Sequence, residues 1–373
     1  MTDLITPITM PKFGLAMTEG KIAGWNIAPG AHVDAGQEIA DIETTKITNG
    51  YESPAAGTLR RQIAEEGETL PVGALLGILA EPAVSDAEID AFIAKFQADF
   101  SSDSATTTQA EHADPFMVNV GDLTLRVQEA GQGAETPLLF IHGFGGDLSN
   151  WMLNQTTLSA TRRTIAFDLP GHGGSSKNVG EGKPATFAVT AAALLDKLDI
   201  SKAHVVGHSL GGAIALELAK AFPQKVASLS LIAPAGLGRD INMAFIDGFI
   251  TADRRKTLEP VLNYLVHDKT LISRKMIEDI IRFKRLDGAV LGLQNIAAAC
   301  FPNGQQADDL RPVLVSFDGP AQIIWGADDE ILSPNSAKDL PATIKVTLLP
   351  QTGHMPQLEK AADVNAAITA FID

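Results

Sequence analysis

Along the first 80 residues, apolar positions come in short runs punctuated by glycine, and the punctuation repeats. Residues 20–43 laid over residues 57–80 place Gly20 on Gly57, Gly30 on Gly67 and Gly36 on Gly73. Ile22 then falls over Leu59, Val33 over Leu70, Ile39 over Leu76 and Ile42 over Leu79. This pattern predicts two similar halves built of short strands and glycine turns. Neither half has enough apolar surface to close a core alone, so the halves are expected to pack face to face as a β-sandwich with approximate two-fold symmetry. Lys46 falls in the connection between them. Its neighbours Thr44, Thr45, Ile47 and Thr48 are β-branched and favour extended backbone, which predicts a strand-turn-strand feature holding one isolated ammonium out in solvent.

After residue 80 the period changes. In "SDAEIDAFIAKFQADF", Ser85 and Glu88 form a capping-box pattern, and Ile89, Phe92, Ile93, Phe96 and Phe100 make one helical stripe. The stripe either packs on a neighbouring domain or docks a partner enzyme. Residues 101–114 are polar and without period, as in a flexible linker. From Pro115 onward, short apolar runs ("PLLFIHG", "RRTIAFD", "AHVVGHS", "VASLSLIAP", "AQIIWGA", "IKVTLLP") alternate with helical stretches such as "TFAVTAAALLDKL" and "GAIALELAKAF". Buried strands alternating with helices predict a mostly parallel sheet covered on both faces, with chemistry at the carboxyl ends of its strands. The expected organisation is a sandwich over 1–80, a helix and linker over 81–114 and an α/β domain over 115–373.

Candidate chemistry sits at those strand ends. "GHSLG" is a G-x-S-x-G motif between a strand and a helix, which exposes the Ser209 hydroxyl on a tight turn and brings the Leu210 amide to a helix start. "HGFGG" offers the backbone N–H of Phe144 as a second donor for a developing oxyanion, with His142 ordering the loop. "WGADDEILSP" offers Asp329, with Asp328 as runner-up, and "QTGHMPQLE" offers His354. Ser209 then reads as nucleophile, His354 as general base and acid, and Asp329 as the group that fixes the imidazole. His208 and His172 are assigned to structure.

Composition narrows the partners. The chain has 373 residues, 45% of them hydrophobic, and a formal net charge of -16, which argues against a nucleic-acid or anionic-membrane partner. A single cysteine, Cys300, excludes an internal disulfide and a cysteine-rich zinc site, and no metal site is expected. The sequence shows neither a leader pattern nor an apolar run long enough to span a bilayer, and a cytoplasmic location is expected.

With these motifs in place, two resemblances emerge. "MPKFGLAMTEGKI", "ETTK" and "SPAAGTL" resemble the lipoyl domain of 2-oxo acid dehydrogenase complexes over roughly residues 5–80. The resemblance implies a flattened all-β barrel with lipoic acid in amide linkage to Lys46. Biotinyl domains usually flank their lysine with methionines, which Thr45 and Ile47 are not, so lipoate is favoured over biotin. Residues 115–373 resemble the α/β-hydrolase superfamily, which shares the chain order Ser209, Asp329, His354 and implies a helical cap near residues 235–310. That segment has ten Lys or Arg and ten Asp or Glu. Arg254, Arg255, Lys256, Arg282, Lys284 and Arg285 could meet a phosphorylated cofactor such as coenzyme A, although solvated helix faces are the preferred reading.

Together the two halves resemble the acyltransferase component of bacterial acetoin-cleaving systems. That family implies an acetyl group moving from S-acetyl-dihydrolipoyl-Lys46 through acyl-Ser209 to coenzyme A. It also implies a thiamine-diphosphate-dependent acetoin dehydrogenase of alpha and beta subunits (E1), a dihydrolipoyl dehydrogenase (E3) and a lipoyl-attaching enzyme as partners. The chain lacks the H-x-x-x-D-G motif and the separate subunit-binding domain of the oxo acid acyltransferases. A tethered serine hydrolase, cleaving a thioester, an ester or a C–C bond, and a non-catalytic lipoyl carrier remain as alternatives.

Overall fold

The structure is a computed structural model that describes residues 5–11, 17, 19–44, 48–106 and 114–372. Two compact units divide the chain at Thr108 and Gln109. Lys46 lies outside the described residues, as do residues 107–113 of the polar run.

Among the described residues of the first unit, eight strands follow one another: β1 (Ile5–Thr9), β2 (Glu19–Trp25), β3 (His32–Val33), β4 (Glu38–Glu43), β5 (Thr48–Glu52), β6 (Gly57–Gln62), β7 (Thr69–Pro71) and β8 (Leu75–Ala80). They form two antiparallel sheets ordered β1-β8-β6-β3 and β5-β4-β2-β7. The internal repeat is real in the backbone. Gly30 and Gly67 take φ 90° and 88°, and Gly36 and Gly73 take 80° and 86°, left-handed values that only glycine adopts freely. The halves do not each form one sheet, however, as face-to-face packing implied. Each sheet takes two strands from each half, which puts Ile22, Val33, Ile39 and Ile42 in one core with Leu59, Leu76 and Leu79. Interleaving gives each half the apolar partner it lacks. β4 and β5 pair with Glu43 opposite Thr48, so the connection that contains Lys46 joins two adjacent strands.

Helix α1 (Asp86–Thr106) begins at the expected capping box: Glu88 N donates to Ser85 Oγ (3.3 Å) and Ser85 N to Glu88 Oε2 (2.9 Å). Its stripe is used inside this unit, since Ile89, Phe92, Ile93 and Phe96 pack on Leu75, Ile78 and Ala80. Arg60 and Arg61 add exposed ion pairs to Asp86 and Asp90. The helix continues to Thr106, into the run expected to be linker. Once nucleated, a helix extends at little cost per residue, and composition alone does not mark its end.

The second unit contains β9 (Phe116–Val120), β10 (Leu123–Ala130), β11 (Leu138–Ile141), β12 (Thr164–Phe167), β13 (Ala203–His208), β14 (Val226–Ile232), β15 (Ala321–Gly326) and β16 (Lys345–Leu349). The sheet order is β16-β15-β14-β13-β11-β12-β10-β9, parallel from β16 to β12. All six anticipated strands are present. The β9–β10 hairpin was not anticipated, because its half-buried strands alternate around Gly121 instead of forming continuous apolar runs.

The helices of this unit are α2 (Met152–Leu158), α3 (Pro184–Lys197), α4 (Leu210–Ala221), α5 (Met243–Thr251), α6 (Arg255–Leu262), α7 (Arg274–Lys284), α8 (Ala289–Cys300), α9 (Arg311–Ser316), α10 (Pro356–Glu359) and α11 (Ala361–Ile372). Alternate side chains of β11 show the layering. Leu139 and Ile141 face the core with Leu194 and Leu216 of α3 and α4, while Leu138 and Phe140 face Leu158 and Ile368 of α2 and α11. Each such buried side chain contributes about 1.5–3 kcal/mol. Helices α5–α8, inserted between β14 and β15, form the cap. Among the described residues no helix is long and apolar enough to cross a membrane.

Candidate active site

Ser209 occupies the one-residue turn between β13 and α4 with φ 54° and ψ -119°. For a residue with a Cβ this backbone costs about 1–3 kcal/mol and persists only when its surroundings impose it. Here they do. Ser209 N donates to Ile232 O at 3.0 Å, and Ser209 O accepts from Gly212 N at 2.8 Å and Ala235 N at 2.9 Å. A Cβ on Gly211 would lie 2.1 Å from Ile141 O, so the turn fits against β11 only with glycine there.

Asp329 and His354 follow the ends of β15 and β16 and meet directly. His354 Nδ1–H donates to Asp329 Oδ2 at 2.7 Å, and the two side chains are 2% and 0% exposed. Trp325 Nε1 donates to the same oxygen at 2.9 Å, while Ile331 N and Leu332 N donate to Oδ1 at 2.8 and 3.0 Å. Burial alone would raise the Asp329 pKa. The charge of His354 and the hydrogen bonds from His354, Leu332 and Ile331 outweigh it and hold the carboxyl below its ordinary value. Asp328, the runner-up, instead faces half-exposed His267 at 3.0 Å.

His208 brings the serine turn to this pair. Its Nε2–H donates to His354 O at 2.7 Å, and the two rings lie 4.8 Å apart. Burial, then the charge of His354, lowers the His208 pKa to about 3, so it stays neutral. Among the described residues no hydrogen bond joins Ser209 Oγ to the His354 ring; such bonds commonly tighten only when substrate is bound.

The "HGFGG" loop runs against the serine turn, since a Cβ on Gly143 would lie 2.9 Å from Ser209 Cβ. Leu169 N donates to His142 Nε2 at 3.0 Å, which leaves His142 Nδ1–H to donate to Gly143 O at 2.8 Å. That carbonyl belongs to the peptide carrying the Phe144 N–H, so His142 fixes its plane. Gly145 N donates to His172 Nε2 at 3.0 Å, and burial followed by the His142 charge lowers the His172 pKa to about 3. His142 orders this loop, as expected, and His172, expected only to shape its own stretch, helps to order it too. The Phe144 ring packs edge-on against Phe249 of the cap and Phe301 just beyond α8. Leu210 is the first residue of α4.

The remaining candidates separate from this centre. Arg255 pairs with Glu259 at 3.0 Å, Arg282 with Asp279 at 3.2 Å, and Arg254 reaches Asp253 at 3.9 Å, as solvated helix faces do. Lys284 is buried, donating to Phe249 O and Ala252 O, and is not available to a cofactor. Cys300 is buried, its Sγ donating to Gly182 O, and burial pushes its thiol up to about 12. Among the described residues no group of three His, Cys, Asp or Glu is placed to hold a metal. Sequence reasoning missed Glu359, whose Oε1 accepts from Gly353 N beside His354 at 2.7 Å. Its place five residues after the histidine in "GHMPQLE" was the available signal.

A strained serine beside a carboxylate-paired imidazole is the equipment of nucleophilic catalysis. A family model described as alpha/beta hydrolase fold matches residues 136–361, more than half of the chain, and one described as biotin-requiring enzyme matches residues 6–79. The solved structure of a meta-cleavage product hydrolase from Pseudomonas fluorescens IP01 is similar to 70% of this chain over 97% of its own, with a TM-score of 0.62 and 21% identity, a likeness of fold. The dihydrolipoyllysine-residue acetyltransferase component of the acetoin cleaving system of Pseudomonas putida is 45% identical over 99% of this chain and 98% of its own length. Its counterpart from Cupriavidus necator is 41% identical over 99% and 97%. The chain, a lipoyl-type domain joined to a capped α/β-hydrolase fold, therefore belongs to the family of dihydrolipoyllysine-residue acetyltransferase components of acetoin cleaving systems.

Proposed function

We propose that this chain transfers an acetyl group from a dihydrolipoyl thioester to coenzyme A through an ester on Ser209. The observation that carries the reading is the union, in one chain, of the Asp329–His354 pair beside the strained Ser209 turn with a sandwich whose β4–β5 connection contains Lys46. Lys46 is the attachment point for lipoic acid, which supplies the thiol that carries the acyl group. The fit is that of the hairpin: β4 and β5 are adjacent and antiparallel, with Glu43 opposite Thr48, and the connection between them contains Lys46.

His354 takes the Ser209 proton as Oγ attacks the thioester carbonyl, and the Phe144 and Leu210 amides meet the developing oxyanion. The C–S bond breaks and the proton passes to the departing sulfur. Coenzyme A then attacks the acyl-serine, His354 taking the thiol proton and returning it to Ser209 Oγ. Asp329, held ionised, stabilises the imidazolium in both halves. Carrying the acyl donor on the same chain as Ser209 would raise its concentration there. A thiamine-diphosphate-dependent acetoin dehydrogenase (E1) would load the arm, and a dihydrolipoyl dehydrogenase (E3) would reoxidise it.

The test supplies acetyl-dihydrolipoamide to the full chain with and without coenzyme A and quantifies acetyl-CoA and acetate. Acetyl-CoA that disappears in Ser209→Ala supports the reading. Acetate alone, whatever the coenzyme A concentration, replaces it with a tethered hydrolase.

A further inference from the structure

Between α6 and α7 the cap sends one stretch, residues 266–269, against both loops that carry the Asp329–His354 pair. Glu359, half-buried at the end of α10, accepts three backbone N–H groups. Gly353, the residue before His354, donates to Oε1 at 2.7 Å, and His267 and Asp268 of the cap donate to Oε2 at 2.7 and 3.3 Å. The same stretch reaches the loop of Asp329 from both sides: His267 faces Asp328 at 3.0 Å, and Lys269 Nζ donates to Glu330 Oε1 at 3.1 Å. A Cβ on Gly353 would lie 2.8 Å from His267 N and 2.9 Å from Val266 Cα, so the two backbones touch. Three converging donors call for an acceptor on both arms, which a carboxylate provides and an amide does not. The flanking ion pairs are half-exposed and individually weak, and Asn242 at the start of α5 ties the cap to the Asp329 loop through Glu330 O and Ile331 O, so Glu359 is the side-chain tie between the cap and the His354 loop.

We propose that Glu359 is a positioning residue for acyl transfer, tying the cap to the His354 loop so that a seated cap and a correctly placed imidazole are one state. The proposal rests on the transferase reading above and deepens it by assigning the tie to the exclusion of water. Phe249 of the cap lies edge-on against Phe144 in the oxyanion loop, so the seated cap covers that loop. A lifted cap admits water to the acyl-serine. The water oxygen then bonds to the acyl carbon, the ester bond to Ser209 breaks, and His354 returns the proton to Oγ, giving acetate in place of acetyl-CoA.

The experiment compares the full chain with Glu359→Gln, feeding acetyl-dihydrolipoamide and coenzyme A, measuring both products and recording thermal melting. The expected result is a kcat lower by about tenfold with KM for the acyl donor within about twofold, as for a misplaced reacting group, and a several-fold larger share of acetate. Glu359→Asp keeps the charge but is one carbon short, and should fall between the two; it serves where the Gln variant folds poorly. A folded Gln variant with the parent kcat and product ratio overturns the proposal. If the parent chain makes only acetate, the transferase reading fails by itself. The tie is then judged on hydrolysis alone, where a tenfold loss at constant KM sustains it and an unchanged kcat removes it.

Discussion

In the sandwich, the proposed functional residue stands between β4 and β5, strands adjacent both in sequence and in the sheet. In the hydrolase domain, Ser209, Asp329 and His354 come from the ends of three different strands and are brought together by packing. The first region needs a side chain held out for a partner to modify. The second needs four loops held in register around buried groups, and it stores backbone strain at Ser209 to do so. Damage to the first should therefore be local and chemical, whereas damage to the second should spread through the loops that share the site.

The largest expected effect separates the two regions outright. Ser209→Ala should lower acyl turnover by about 10⁴-fold or more while leaving enzymatic lipoylation of Lys46 intact, read by intact mass. Lys46→Arg should do the reverse, abolishing lipoylation and sparing activity on free acetyl-dihydrolipoamide. If either variant loses both properties, the division of labour is wrong. Within the hydrolase domain, Asp329→Asn should cost about 10³–10⁴-fold in kcat, whereas Asp328→Asn should remain within a few-fold, because Asp328 faces the half-exposed His267. Equal losses would contradict the assignment of the acid.

These residues were legible because short strings fix them. G-x-S-x-G, the "HGFGG" loop and the 37-residue repeat are local patterns whose backbone demands, such as the close approach of Gly211 to Ile141 O, select glycine at fixed spacing. Interleaving of the sandwich halves was not legible, because which strand pairs with which depends on long-range burial and not on the period within a strand. The role of His208 rests on a hydrogen bond to His354, 146 residues away, and local sequence marks the place of Glu359 near His354 but not the cap donors that it holds. The buried Lys284 shows the same limit from the other side: a basic residue read as surface instead caps the end of α5.

Glycine substitutions sharpen the comparison at smaller magnitude. Gly211→Ala places a methyl 2.1 Å from a backbone oxygen and should destabilise the hydrolase unit by about 3 kcal/mol or more. Gly67→Ala meets only the cost of φ 88° in open space, about 1–2 kcal/mol, confined to the sandwich. Melting followed separately in the two units, by amide exchange for example, should show one transition move in each variant. A common shift would mean that the units unfold together.

Acid should also divide them. His172 and His208 titrate near 3 in the folded hydrolase unit and near 6.5 when unfolded, so the unfolded state binds the extra protons below pH 6.5. Their contribution to stability is complete above about pH 6.5 and declines as pH falls toward 3, by up to about 1.4 kcal/mol per pH unit for each histidine. Within its own unit, Met1–Thr108, the sandwich has only His32, which is exposed. Urea midpoints measured at pH 7 and pH 5 should fall for the hydrolase unit and change less for the sandwich; equal declines would sink the assignment.

In the proposed reaction, acetyl passes through Ser209 on its way to coenzyme A. Mass spectrometry of the peptide containing Ser209, after brief incubation with acetyl-dihydrolipoamide, tests it most directly. Transfer through Ser209 predicts an acetylated Ser209 without coenzyme A, and its rapid loss, matched mole for mole by acetyl-CoA, when coenzyme A is added. Acetyl-CoA formed at full rate with Ser209 never acetylated, or formed equally by Ser209→Ala, would contradict it.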